Sequence, residues 1–330
     1  MMPHIVLITG CAGFIGFHTA RKLLQAGVHI VGVDNLNDYY DVNLKKARLK
    51  ILQEDPHFTF HQTDIADASA MQALWGRYPD IVHVIHLAAQ AGVRYSLENP
   101  YAYVQSNLQG HMVILELCRH RPGFKHLIYA SSSSVYGNLT TMPLSPQLVT
   151  DTPISLYAAT KKANELMSHS YAHLYKFPAT GLRFFTVYGP WGRPDMSAYI
   201  FTKAIIEGTP IPVFNYGDMY RDFTFVEDIV AGILGALTRD LPHFHQRVPH
   251  KVYNLGNHRS EHLMRFIDVL EQAIGKPAQR DLQPMQPGDV PKTYADITES
   301  TQDLGFHPQT SIDEGVPQFV QWYQQYTQCK

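Results

Sequence analysis

The chain has 330 residues, of which 45% are hydrophobic and 17% charged, and its formal net charge is -2. These are globular values, and they exclude a disordered chain. The near-neutral balance gives no basic surface for nucleic acid or an anionic membrane, and no apolar run is long enough to span a bilayer. The length suggests two domains, or one large domain with a lobe. Cys11, Cys118 and Cys329 are odd in number and widely spaced. That argues against a disulfide framework and predicts a reducing, cytoplasmic location. The amino terminus shows no basic leader or cleavage site, and Gly10 interrupts it early. The 18 histidines are scattered. His243-Phe244-His245 is flanked by prolines without a matching Cys or carboxylate cluster, so an exposed loop is expected there and no metal.

Ile5–Thr9 reads as a buried parallel strand. Gly10-Cys11-Ala12-Gly13-Phe14-Ile15-Gly16 follows at once, and a helical pattern then runs to Gly27. Residues 29–33 are the second strand, closed by Asp34. This is one complete βαβ unit. Glycines in such a turn let the backbone approach a pyrophosphate, which rests on the helix N-terminus. Cys11 reads as a filler of a small space. A carboxylate at Asp34 can accept both ribose hydroxyls of adenosine and repels the extra phosphate of NADP, so NAD is the expected cofactor.

Residues 37–43 are polar and aromatic without period, and residues 44–49 read as a basic amphipathic helix with its charges in solvent. Phe58-Thr59-Phe60 is the third strand, with Asp64-Ile65 just beyond. The fourth strand, residues 82–86, leads into Leu87-Ala88-Ala89, whose size suits close passage of a dinucleotide. Residues 100–119 read as a long helix. The fifth strand, 126–130, ends in Ser131-Ser132-Ser133-Ser134-Val135-Tyr136-Gly137. Open α/β sheets bind ligands at the carboxyl ends of their strands.

Tyr157 and Lys161 sit four apart on the next predicted helix and share one face. An ammonium near a phenol favours the phenolate, which a Tyr base needs near neutrality. The same spacing recurs at Tyr199/Lys203 and Tyr326/Lys330, but only the first pair follows a serine run at a strand end. A sixth strand spans 179–184. Pro190-Trp191-Gly192-Arg193-Pro194 is then a rigid turn, after which helix, strand and loop alternate irregularly. Residues 226–237 and 252–255 look like a helix and strand returning to the first sheet, 286–290 like a turn, and 311–326 like a terminal helix. The expected fold is α/β. Residues 1–190 form a Rossmann-type doubly wound parallel sheet with returning elements at about 222–258, and 191–330 form mainly a smaller substrate lobe.

The Gly-x-x-Gly-x-x-Gly loop, the serine run, Tyr157/Lys161 and Arg221-Asp222-Phe223-Thr224-Phe225-Val226-Glu227-Asp228 together resemble extended short-chain dehydrogenase/reductases that act on nucleotide sugars. The likeness covers nearly the whole chain. Asn37-Asp38-Tyr39-Tyr40-Asp41, the run 131–137 and Pro190-Trp191-Gly192-Arg193-Pro194-Asp195-Met196 are similar to UDP-glucuronate 4-epimerases in particular. The resemblance implies NAD-dependent interconversion of UDP-glucuronate and UDP-galacturonate through a transient 4-keto sugar. It implies Tyr157 as the base for the sugar 4-hydroxyl. Lys161 would hold the nicotinamide ribose and lower the Tyr157 pKa, and Ser132 would bond the same hydroxyl. It implies a cofactor site of Gly10, Gly13, Phe14, Ile15, Gly16, Asp34, Asn35, Asp64, Ile65, Leu87, Ala88 and Ala89, with Asp64 at the adenine amino group and Ile65 at its ring. For the UDP-sugar it implies Arg94, Ser133, Ser134, Thr186, Arg193, Arg221 and Asp289, the last two at the diphosphate and the uridine ribose. It also implies a homodimer joined through 100–119 and the Tyr157 helix.

Sugar-nucleotide dehydratases carry an acid directly after the position of Ser132, and decarboxylases a Glu nearby. Ser133 and Ser134 stand there instead, without the group needed to pull a proton from C5. Thr186 stands where galactose epimerases tend to have Asn, and Gln286 where many have Arg. A C6 carboxylate only accepts hydrogen bonds, so the hydroxyls of Ser133, Ser134 and Thr186 would read it, with Arg193 shaping that wall. The plainer reading of Arg193 is a surface pair with Asp195. Other functions fitting the chain are a UDP-glucose or UDP-N-acetylglucosamine 4-epimerase, a net dehydrogenase that accumulates NADH, and a non-catalytic NAD-sensing module. Sensing relatives have usually lost the Tyr or the Lys.

Overall fold

The computed structural model describes residues 2–328. Cys329 and Lys330, and with them the Tyr326/Lys330 pair, lie outside the described residues. Seven strands form one parallel sheet: β1 (Ile5–Thr9), β2 (His29–Asp34), β3 (Phe58–Gln62), β4 (His83–His86), β5 (His126–Ser132), β6 (Ala179–Phe184) and β7 (His250–Leu255). Their spatial order is β7-β6-β5-β4-β1-β2-β3.

Side chains alternate across each strand, and both faces are covered. Val6 and Ile8 pack with Phe17 and Leu23 of helix α1 (Phe14–Gln25) and with Ile229 and Ile233 of the helix Val226–Thr238. Leu7 faces the other way, toward Met71, Leu74, Ile114 and Leu117 of the helices Ala68–Arg77 and Gly110–Arg119. Burial on both faces explains the near-continuous apolar strands and the doubly wound arrangement. The returning strand closes one sheet edge, with β7 paired to β6 from His250 opposite Ala179 to Leu255 opposite Phe184.

The order of strands reverses between β1 and β4. A crevice therefore opens at their carboxyl ends, where Gly10 and Leu87 stand. A separate apolar cluster gathers Tyr188, Phe201, Phe223, Phe266, Phe319 and Trp322. The short strand Thr186–Tyr188 pairs in parallel with Phe223–Phe225, which brings Thr186 beside the Arg221 segment.

Three expectations change. Residues 100–119 are helical but contain a π-helical stretch, Val104–Gln109. Within it, the Asn107 amide accepts from Gln90 N at 2.8 Å and donates to Gln90 O at 3.1 Å and Thr160 Oγ1 at 3.0 Å. Such stretches open where a side chain must reach sideways. The helix Val42–Leu52 does not hold all its charges in solvent, because Lys45 and Arg48 are buried. Lys45 Nζ donates to Asn37 O and Oδ1, each at 2.7 Å. Arg48 donates to Ala12 O at 2.8 Å, Tyr40 OH at 3.0 Å and Trp191 O at 2.6 Å. His243 is buried as well, bonded to Thr180 Oγ1 at 3.0 Å, while His245 is exposed beside Asp240. Among the described residues no helix is long and apolar enough to cross a membrane, and no group of three or more His, Cys, Asp or Glu could hold a metal.

Candidate active site

One cavity of about 790 Å³ runs from the β1–α1 turn to the region around residues 193, 221 and 289. At the β1–α1 turn its lining includes Gly10, Gly13 and Gly16. Gly10 has a φ of +73°, and its N–H donates to Val33 O at 2.7 Å. A Cβ at Gly10 would lie 2.7 Å from Ala88 N, and one at Gly16 only 2.0 Å from Gly10 O. Only glycine fits either place. Helix α1 starts behind Gly13, which offers no capping side chain, so its first-turn N–H groups are free for an anion. Asp34, at the end of β2, accepts from Leu36 N at 2.9 Å and Ala12 N at 3.2 Å. Burial pushes its carboxyl pKa up, against those bonds and the charges of Lys45 and Arg48. A glycine cradle for a pyrophosphate beside a carboxylate for a ribose fits an adenine dinucleotide.

Strand β5 delivers the serines. Ser131 Oγ donates to Glu165 Oε1 at 2.6 Å, and Arg183 holds Glu165 through two bonds of 2.8 Å. Ser131 therefore supports a buried ion pair and is not available to a substrate. Ser132 caps the next turn, its Oγ accepting from Ser134 N at 3.1 Å. Tyr157 enters on the first turn of Leu156–Tyr175, which Ser155 caps through Ala158 N at 3.1 Å. Lys161, one turn on, is buried and donates to Ala130 O at 2.9 Å. Burial lowers its pKa to about 8.

Burial raises the Tyr157 phenol. A hydrogen bond with Ser132 opposes that most, and the charge of Arg193 comes next. Lys161 donates to the backbone of β5, and the Arg193 charge, which the sequence did not point to, also favours the Tyr157 phenolate. Arg193 does pair with Asp195, through Nε at 3.0 Å and through Nη2. The pair is not on the outer surface. Both residues line the cavity.

Every residue predicted for the site lines this cavity except Asp64. The Asp64 carboxylate accepts from Ala66 N at 2.8 Å and Asn35 Nδ2 at 3.2 Å. Asp289 pairs with Arg94 at 2.9 Å, and the Arg94 guanidinium lies 4.4 Å from the Phe214 ring centre. Arg221 Nη1 is anchored on Tyr220 O and Pro291 O, at 3.0 and 3.3 Å. Tyr199, of the second Tyr/Lys pair, packs among Phe319, Trp322 and Tyr323 away from the cavity. Tyr39, Tyr95, Phe214 and Lys292 also line it and carried no assignment from the sequence. Tyr39 lay in an aromatic stretch that was visible, while Lys292 shows no period or motif.

The family model for the NAD dependent epimerase/dehydratase family matches residues 6–256. The chain belongs to that family. Among curated members it is 47% identical to a probable UDP-glucuronate 4-epimerase of Rhizobium meliloti strain 1021, over 97% of this chain and 96% of the relative. It is 44% identical to UDP-glucuronate 4-epimerase 2 of Arabidopsis thaliana, over 96% of this chain and 75% of that one. A solved Bacillus cereus UDP-glucuronic acid 4-epimerase, in complex with UDP-glucuronic acid and NAD, is similar with a TM-score of 0.90 and 32% identity, over 98% of this chain and 99% of that one.

Proposed function

We propose that the chain is an NAD-dependent UDP-glucuronate 4-epimerase that interconverts UDP-glucuronate and UDP-galacturonate. One observation carries the reading. Tyr157, Ser132 and Arg193 meet in the same cavity as the glycine cradle and Asp34, and the wall beside them is Ser133, Ser134 and Thr186. The relatives named above support the substrate.

Bound NAD supplies the acceptor and donor for the hydride at sugar C4. Gly10, Gly13 and Gly16 admit its pyrophosphate, Asp34 takes the adenosine ribose and Lys161 the nicotinamide ribose. Tyr157 takes the 4-hydroxyl proton and returns it, with Ser132 bonded to that hydroxyl. Ser133, Ser134 and Thr186 donate to the C6 carboxylate, and Arg193 charges the same wall. Arg221 meets the diphosphate, and Asp289, steadied by Arg94, the uridine ribose. Neither Ser133 nor Ser134 can take a C5 proton near neutrality, so the chemistry stays at C4.

Incubation of the pure protein with a panel of UDP-sugars tests this. UDP-glucuronate should give UDP-galacturonate with the highest kcat/KM. Faster turnover of UDP-glucose or an N-acetylated UDP-sugar would replace the assignment with a broader hexose 4-epimerase.

A homodimer and a cytoplasmic location belong to the same proposal. Tyr101, Val104, Leu166 and Leu174 leave apolar surface exposed on the adjoining helical segments 100–119 and 156–175, which a second copy would cover. Cys11 and Cys118 are free thiols, as in a reducing compartment. Sedimentation at micromolar concentration should give twice the chain mass.

A further inference from the structure

The stretch Asn37-Asp38-Tyr39-Tyr40-Asp41 has no part in the chemistry above, yet it reaches the substrate end of the cavity. Tyr39 follows β2, in the half that carries the glycine loop. Its hydroxyl donates to Asp195 Oδ2 at 3.0 Å, across 156 residues of sequence. Asp195 in turn forks the Arg193 guanidinium through Nε and Nη2. All three residues line the cavity.

The Tyr39 ring is itself held. It lies 4.7 Å from the Tyr95 ring, and its hydroxyl backs onto Gly92, where a Cβ would stand 2.3 Å from the oxygen. Burial, then the Asp195 charge, raises the Tyr39 pKa, so the hydroxyl keeps the proton it donates. Arg48 fixes the same loop from the same side, joining Trp191 O at 2.6 Å to Ala12 O of the glycine loop at 2.8 Å. The Pro190 to Asp195 loop is thus mounted on the glycine-loop half at two points, one at its backbone and one at its charged pair.

An unpinned arginine samples many rotamers, and each costs order when a ligand selects it. The fork to Asp195 removes that freedom before any substrate arrives. A guanidinium has five N–H donors, so a fork using Nε and Nη2 leaves Nη1 uncommitted to it. A carboxylate gains from such a fixed charge. A neutral hydroxymethyl group gains little.

The geometry points to Tyr39 and Asp195 as positioning residues that fix Arg193 at the sugar end and so set the preference for a uronate over a neutral hexose. This rests on the uronate epimerase reading given above. Neither residue touches the reacting atoms.

The test measures kcat and KM for UDP-glucuronate and UDP-glucose in the unmodified protein, Tyr39→Phe, Asp195→Asn, Arg193→Met and Tyr39→Phe/Arg193→Met, with bound NAD and Tm alongside. Tyr39→Phe keeps the ring against Tyr95 and removes only the donor. It should raise KM for UDP-glucuronate about fivefold with little change in kcat, and shift UDP-glucose by less than about twofold. Asp195→Asn should act in the same direction. On the Arg193→Met background, Tyr39→Phe should change the substrate ratio no further. A merely structural role would lower both substrates together, or act equally with and without Arg193, and either result overturns the inference. If Asp195→Asn does not fold, Tyr39→Phe alone decides. An unmodified protein that prefers UDP-glucose removes the functional reading and this inference with it. One that prefers UDP-glucuronate, but keeps its ratio in Tyr39→Phe, removes the inference alone.

Discussion

Lys161 Nζ lies 2.9 Å from the carbonyl oxygen of Ala130, so the helix that carries Tyr157 is tied to the strand that carries Ser132. The tie helps hold Tyr157 beside Ser132. Tyr157→Phe keeps the ring and removes the proton acceptor. Turnover should fall roughly a hundredfold or more while NAD stays bound. Tyr199→Phe should leave turnover nearly unchanged, because its ring sits against Tyr323 and not in the cavity. Full activity in Tyr157→Phe would mean the wrong Tyr/Lys pair.

The pH dependence follows from the surroundings of Tyr157. Burial, and to a lesser extent the Asp195 charge, raises its phenol, while the Ser132 hydrogen bond and then the Arg193 charge oppose this. Abstraction needs the phenolate, so kcat should rise with pH toward the raised value. Arg193→Met removes an opposing cation and should move that acidic limb to higher pH. A limb that stays in place, or moves down, would exclude Arg193 as the influence.

Asp34 tests the cofactor. The unmodified protein should bind NAD far better than NADP, because a carboxylate repels the 2′-phosphate. Asp34→Ala should narrow that gap, with Lys45 and Arg48 left as the nearby cations. Equal affinities in the unmodified protein, read by fluorescence titration, would contradict the assignment.

Arg48 is the case where the sequence misled. Helical period tells which residues share a face, but not what packs against that face. The Trp191 carbonyl that receives Arg48 is 143 residues away. The same limit hid His243, whose partner Thr180 lies on β6. It also hid the π-helical stretch, which answers to Gln90 through Asn107. By contrast the sheet was legible, because strands buried on both faces leave apolar runs. The glycine loop was legible because Gly10 and Gly16 stand where a Cβ meets backbone. Removing Arg48 would orphan carbonyls at both loops and open a cavity. Arg48→Met should therefore cost about 2–4 kcal/mol of stability. A denaturation midpoint unchanged by the substitution would show that those bonds carry little.

Buried histidines set the acid limit. Burial lowers His18, His111 and His250 to about 3 and His243 to about 4. A folded pKa below the unfolded value of 6.5 means the unfolded chain takes the proton first. Their stability is complete above about pH 6.5 and is lost as pH falls toward the folded values, each by about 1.4 kcal/mol per pH unit. Asp222 acts in the opposite sense. Burial raises it to about 6, so its contribution is lost as pH rises from about 4 through 6. Four histidines outweigh the two raised carboxyls, Asp34 and Asp222. Tm should hold from pH 7.5 to 6.5 and then fall steeply, whereas a flat Tm down to pH 4 would contradict this.

Isotope placement tests epimerisation at C4 most directly. The protein is incubated with UDP-glucuronate in deuterated water, and the product is resolved by NMR. UDP-galacturonate should form with no deuterium at C4 or C5 and no release of carbon dioxide. Deuterium at C5 would mean enolisation, and carbon dioxide would mean decarboxylation. Either result contradicts the proposed chemistry at C4 alone.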